Sequence, residues 1–425
     1  MRRGDTHFSA VAWLVERGVG VLDPSTVYIG PEVNLDHISS DGVVIYPGCR
    51  ICGEDTVLCA GVKLGAEAPV TVENCALGPG VELRGGYFRQ SVFLDRVTVG
   101  AGAHVREGCL LEEEASGAHC VGIKQTILFP FVTLGSLVNF CDCLMAGGTS
   151  RRDHSEVGSS FVHFNYTPLG HKATPSLFGD VPQGVMLNQP RIFLGGQSGV
   201  VGPVRVAYGT VLAAGSILRH DVLEPDRLVV APLPEGRQRE WRPHARGLTR
   251  VVANNVYYLA NLAALRAWYE KVRSQFFGKT ELGRLVYRRA LSVLALAREE
   301  RLKRLRELAE LVERLDLPTS QDGVLTNTAA GRVRSFRVQQ TGLAHQIEVI
   351  CDVFTEPEVW GAVEQSVVQA EEDFLRALEQ AADPSADYLS TIGSLPEDIR
   401  AKGVAWLRGI VEGYVKKAGL DVALG

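Results

Sequence analysis

From residue 194 to 217 an aliphatic side chain recurs at every sixth position, Leu194, Val200, Val206 and Leu212, with small residues between. The same count runs through Ile45, Ile51 and Val57, and again through Val99, Val105 and Leu111. Neither the 3.6-residue period of a helix nor the alternation of an ordinary strand gives such a rhythm. Short strands joined by tight turns give it when the chain coils into a parallel β-helix, one aliphatic residue per repeat pointing inward. Glycine and other small residues fall where the backbone must turn without steric cost. The rhythm predicts a solenoid over 25–231. Extra residues break the count near Lys63, around 84–92 and most heavily over 144–193, and such insertions belong in corner loops of the coil, often on its functional face.

The text on either side reads differently. Residues 1–24 predict a short N-terminal segment with a helix starting near Asp5. The proline-rich, charged run PLPEGRQREWRPH, ending at His244, marks a boundary. An α-helical domain is then expected over 245–425. Tyr258, Leu262, Leu265 and Tyr269 stand at helical spacing, and a long helical pattern begins at Glu281 and stops at Pro318. A Gly/Thr/Asn loop and a short Val-containing stretch follow, then two amphipathic helices over roughly 356–382 and 396–418. The Arg/Glu run at 298–314 reads as a solvated helix face or a packing seam.

Composition narrows the function. The chain has 425 residues and a net charge of -5, which gives no electrostatic reason to expect nucleic acid or an anionic membrane as partner. No apolar run reaches membrane-spanning length. The nine cysteines are scattered, most at repeat positions, and read as small buried hydrophobes in a reducing cytoplasm rather than a disulfide framework. Cys141 and Cys143 are too close for a typical zinc pair, and the histidines show no pair with ligand spacing, so no metal is expected, including a zinc centre of the γ-carbonic-anhydrase type.

The stretches VGSSFVHFNYTPLGHKATPSLFGD and IFLGGQSGVVGPVRVAYGTVLAAGSIL carry a resemblance. They are similar to the left-handed β-helix half of the bifunctional enzymes that acetylate glucosamine-1-phosphate and then uridylate it. The family's Asn-Tyr, its lysine-bearing loop, its Ile-Gly-Asp and its closing Ala-Ala-Gly correspond to Asn165-Tyr166, Lys172, Phe178-Gly179-Asp180 and Ala213-Ala214-Gly215. The likeness is good over 150–220, rests on repeat pattern alone over 25–145, and leaves the helical half outside. The resemblance implies a left-handed parallel β-helix, with the helical C-terminal domain added. Three departures matter. Thr167-Pro168 replaces the Asp-Gly that follows the family's Asn-Tyr, no histidine stands in the register of the family's base, and no nucleotidyltransferase half is present. Leu144 to Arg151 faintly echoes that half's nucleotide loop, but lies in the middle of the solenoid. No uridylyltransferase activity is expected.

Acyl transfer to an amine needs a base, a donor for the developing oxyanion and cations for phosphate. Segment 148–172 offers each. His154, His163 and His171 are candidate bases, with Asp153 and Glu156 flanking the first. Asn165 is a candidate amide donor. Arg151, Arg152, Tyr166 and Lys172 are candidate substrate contacts, the cations for phosphate. Gly195, Gly196, Ala213 and Ala214 form a stripe of small residues against which, by the resemblance, the pantetheine arm of acetyl-CoA lies. Each has a plainer reading: a surface histidine, an asparagine at a corner, solvated arginines, small residues filling turns. The first expectation is an acetyl-CoA-dependent acyltransferase acting on an amino sugar, sugar phosphate or nucleotide sugar. The resemblance also implies a homotrimer with sites between subunits. The competing expectation is a non-catalytic sugar-nucleotide-binding or scaffold protein that keeps the coil without the chemistry.

Overall fold

The computed structural model describes residues 3–163, 172–231, 236, 238, 247–314, 332–333, 342–355, 365–383, 385–420 and 422–423. Between Gly20–Val21 and Leu228–Val229 the chain is a left-handed parallel β-helix with three faces. Its first face stacks 11 short strands in sequence order, Val44–Ile45 on Lys63–Leu64, Lys63–Leu64 on Glu82–Leu83, and so on to Leu228–Val229. The second face runs from Tyr28–Ile29 to Ile217–Leu218. The third runs from Val57–Leu58 through Cys109–Leu111 to Ser176–Phe178 and Arg205–Val206.

The six-residue rhythm is the inner lining. Leu194, Val200, Val206 and Leu212 are each at most 2% exposed, one per face in turn. The turns are made by left-handed residues. The first corner carries Gly102, Cys120, Leu137, Gln197 and Gly215. The second carries Asn74, Gln90, Gln125, Asp142 and His163. The third carries Gly61, Gly80, Arg96, Glu114 and Phe131. Many of these are not glycine, so the coil bears a cost that its ladder hydrogen bonds offset.

The broken count over 144–193 resolves into loops at two corners. A hairpin pairs Gly148–Ser150 with Asp153–His154 at the third corner. At the second corner the described chain stops at His163 and resumes at Lys172. A second excursion at the third corner, 179–192, contains a one-turn helix, Val181–Gly184.

Helix α1, Arg3–Glu16, packs on the first strands of the coil. The helical half contributes α2, Leu248–Trp268, and α3, Glu281–Arg314, bridged by a π-helical turn at Tyr269–Arg273 and a short helix at Ser274–Phe277. After these come α4, Leu343–Thr355, α5, Gln365–Ala381, the single turn Tyr388–Gly393, and α6, Glu397–Lys417. Helix α3 lies along third-face strands Val57–Leu58, Ala76–Leu77, Ser91–Phe93 and Cys109–Leu111, and α2 meets Ser176–Phe178. Ser91–Phe93 and Cys109–Leu111 are consequently buried on both sides, whereas Lys63–Leu64 on the first face alternates exposed and buried. Coil and helices share one continuous hydrophobic core. Three arginines of the helical half reach coil corners: Arg289 to Asp55 at 2.8 Å, Arg301 to Asp142 at 2.7 Å and Arg273 to Glu113 at 2.9 Å.

Candidate functional site

The chain enters the hairpin at the third corner through two glycines. Gly147 and Gly148 have φ of 103° and 95°. A Cβ on Gly148 would stand 2.4 Å from His154 Cα, closer than real side chains approach. Beneath the hairpin, buried Ser155 donates to Ala146 O at 2.8 Å and accepts from Ile192 N at 2.8 Å. His154 is half-buried, with Nδ1 3.0 Å from Arg151 O. A carbonyl only accepts, so Nδ1 carries the hydrogen and Nε2 of the neutral ring keeps the lone pair, the form a general base needs. Asp153 accepts from Thr149 at 3.3 Å and lies 3.6 Å from Arg191 Nε. Arg191 escaped the sequence reading because it lies in another loop of the same corner, and nothing in its local text marks it.

Arg151 folds back on the coil. Its guanidinium donates to Glu114 O at 3.0 Å, Phe131 O at 2.8 Å, Thr133 Oγ1 at 3.1 Å and Ser116 Oγ at 3.3 Å. These contacts pin the hairpin to two preceding coils. Arg152 beside it is exposed and makes no side-chain hydrogen bond among the described residues.

His163 is at the second corner, where it adopts the left-handed conformation with φ 61°. Its Nε2 is 2.8 Å from Ser176 Oγ, and Ser176 also accepts from Val204 N at 2.9 Å. Burial pushes the imidazole down to about 4, against the opposing pull of Asp142. A base that weak takes few protons from an ammonium near neutral pH. Lys172 is exposed near the same corner. Asn165, Tyr166 and His171 lie outside the described residues.

The small-residue stripe is at the first corner. A Cβ on Gly195 would stand 2.5 Å from Ala214 N, so stacking of the coils by itself demands glycine there. Gly196 has only Ser159 N near it, at 3.9 Å, and Ala214 is exposed. Within one chain the candidate residues therefore occupy three corners: His154, Arg151 and Arg152 on the third, His163 and Lys172 on the second, Gly195, Gly196, Ala213 and Ala214 on the first. The fold brings His154 and the arginines together but does not bring the hairpin to the stripe, because the first face lies between.

No protein-family model matches the chain. Among curated proteins it is 29% identical over 211 residues to the bifunctional protein GlmU of Thermotoga maritima, covering 49% of this chain and 41% of that one. The GlmU protein of Carboxydothermus hydrogenoformans is 26% identical over 211 residues, covering 50% and 42%. That of Trichlorobacter lovleyi is 24% identical over 229 residues, covering 54% and 44%. The chain thus spans less than half the length of these relatives. Among solved structures, LpxA from Acinetobacter baumannii aligns with a TM-score of 0.20 at 13% identity, over 64% of this chain and 96% of that one, a superposition too loose to carry an argument. With its hexapeptide rhythm, its left-handed corners and this sequence likeness, the chain carries a solenoid that resembles the acetyltransferase half of the bifunctional GlmU proteins.

Proposed function

We propose that the protein is an acyltransferase that moves an acetyl group from acetyl-CoA to an amino sugar, sugar phosphate or nucleotide sugar. The observation that carries this reading is the likeness to GlmU over 211 residues, about the length of the coil. His154 is the base in this proposal. Its Nε2 takes a proton from the acceptor's ammonium, and the freed amine attacks the thioester carbonyl carbon. The tetrahedral oxyanion, held by the amide of Asn165, collapses as the C–S bond breaks. The departing CoA thiolate takes the second proton, shed by the attacking nitrogen, His154 releases the first to solvent, and the amide product leaves. Arg152 holds phosphate beside His154, and Lys172, on the second corner, reaches it from a neighbouring subunit. Gly196, Ala213 and Ala214 of a neighbouring subunit leave room for the pantetheine arm beside the backbone.

A homotrimer follows from the same reading, since the hairpin and the stripe meet only across subunits. The helices occupy the third face, which leaves the first and second for packing. Large apolar side chains stand exposed there around the first corner, Leu137 at 59%, Phe161 at 60% and Leu228 at 69%.

The test is acetyl-CoA consumption across a panel of amino sugars, sugar phosphates and nucleotide sugars, for the wild type and for His154→Ala. The proposal expects turnover of one acceptor and a loss of about 10²–10⁴-fold in the variant. Full rate in His154→Ala removes the base assignment. A second reading, a non-catalytic sugar-nucleotide binder, is favoured by Arg151 and His163, whose polar groups serve the coil itself. Under it the wild type shows no acceptor-dependent consumption and no thermal shift with CoA.

A further inference from the structure

We propose that the cleft between the last coils and helices α2 and α6 binds a small organic anion, a phosphate ester or carboxylate with an apolar body. The cleft holds about 520 Å³, within the roughly 300–1,000 Å³ typical of small-molecule sites. Its lining contains none of the candidate residues named above, so the inference stands apart from acyl transfer.

The floor is built and rigid. The Tyr208 hydroxyl donates to Asp180 O at 2.6 Å and accepts from Asp180 N at 3.0 Å. A Cβ on Gly179 would fall 2.5 Å from the Tyr208 ring, so the glycine is what admits the tyrosine. Asn261 of α2 accepts from Val181 N at 2.8 Å, tying the helix to the loop that forms one wall. Every one of these partners is satisfied within the protein, and the cavity therefore needs no ligand to take shape.

Two guanidinium groups line it without a side-chain hydrogen bond among the described residues. Arg205 sits over the Tyr257 ring, 3.9 Å from its centroid, and its side chain is 17% exposed. It donates no side-chain hydrogen bond among the described residues, its buried Nε included. Asp221 Oδ2 forms a long ion pair with that nitrogen at 3.9 Å, beyond hydrogen-bonding distance, while Oδ1 accepts from Arg205 N and Asn254 instead. On the opposite wall, exposed Arg408 of α6 likewise makes no hydrogen bond among the described residues. The Tyr257 ring holds the Arg205 cation at the cleft, and a guanidinium with donors free of hydrogen bonds suits a bidentate acceptor. Val206, Leu223, Val411 and Val415 supply the apolar remainder. Glu412, Asp180 and Asp226 also line it; the Glu412 carboxyl is raised by burial and lies beside Arg408.

The experiment is calorimetric titration of the full chain with hexyl phosphate and with hexanoate, using hexanol and inorganic phosphate as controls. At least one six-carbon anion is expected to bind one per chain, at least about tenfold tighter than hexanol. The phosphate arm against the carboxylate arm tells which acid the site prefers. Arg408→Gln, on an exposed position, is expected to keep the thermal midpoint and weaken binding by about tenfold or more. Arg205→Gln is expected to do the same if it folds. Binding of neither anion, equal binding of hexanol, or undiminished affinity in a folded Arg408→Gln overturns the site.

Discussion

Arg273 grips Glu113 with both arms of its guanidinium, Nη2 to Oε1 at 2.9 Å and Nη1 to Oε2 at 3.0 Å, and neither side chain has appreciable contact with water. The Tyr388 ring stacks on the cation at 3.9 Å, and Tyr269 donates to the neighbouring Glu112 at 2.6 Å. The π-helical turn makes this possible by presenting Tyr269 and Arg273 together to the two glutamates of the third corner. The pair fastens the helical half to the coil.

Removing one partner strands a buried charge, which costs about 3–5 kcal/mol, whereas replacing both by apolar groups costs far less. Arg273→Met is therefore expected to lower the unfolding free energy by that amount in urea titrations. Arg273→Met with Glu113→Leu is expected to recover much of it. A single variant within about 1 kcal/mol of the wild type would show that the pair does not hold the two halves together.

His163 gives the stability a pH signature. Its imidazole ordinarily titrates at 6.5 and is held at about 4 in the folded chain by burial. The unfolded chain takes up the proton first. The contribution is fully present above about pH 6.5 and drains away as pH falls toward 4. Thermal midpoints of the wild type and of His163→Gln should be compared from pH 4 to 8. The gap between them is expected to close as pH drops through that window. A gap constant across the range means that His163 is not kept neutral by the fold.

The two adjacent arginines of the hairpin should separate cleanly. Arg151 spends its donors on coil carbonyls and hydroxyls, so Arg151→Ala is expected to loosen the hairpin and lower stability by on the order of 1–3 kcal/mol. Arg152→Ala touches no such bond and is expected to leave the thermal midpoint in place while raising KM for a phosphorylated acceptor, with kcat nearer normal. A fall in KM-type binding for Arg151→Ala with unchanged stability would reverse these roles.

What could be read in advance followed from periodicity. Every sixth aliphatic residue fixes the inside of a coil, and Leu194, Val200, Val206 and Leu212 line it. The abrupt switch to helical spacing beyond the proline-rich run ending at His244 is equally plain. Helix α4 was not read, although Leu343, Ile347, Ile350 and Phe354 share one buried face, because its β-branched residues have weak helix propensity and blur the pattern. The division of the candidate site among three corners was hidden for a different reason. Sequence distance within 144–193 says nothing about which corner each insertion leaves, and only the strand register places His154 and His163 apart. The cleft was invisible because Arg205 and Tyr257 meet only when the helices fold back on the third face.

That separation makes the shared-site model testable without knowing the acceptor's orientation. His154 on the third corner and the Gly196–Ala214 edge on the first corner are divided by the first face of their own coil, so under the proposed function the site is expected to take one from each of two subunits. His154→Ala removes the base, and Ala214→Trp, at an exposed position, blocks the small-residue edge without disturbing the core. Each homotrimer is expected to be inactive. In trimers reassembled from an equal mixture, about a quarter of the sites draw an intact hairpin from one subunit and an intact edge from the next, given random closed three-fold assembly. Activity should therefore return to about a quarter of the wild-type rate, in particles whose mass by light scattering is three chains. A stable monomer at micromolar concentration, or mixed trimers as inactive as the parents, rules out a site shared between subunits.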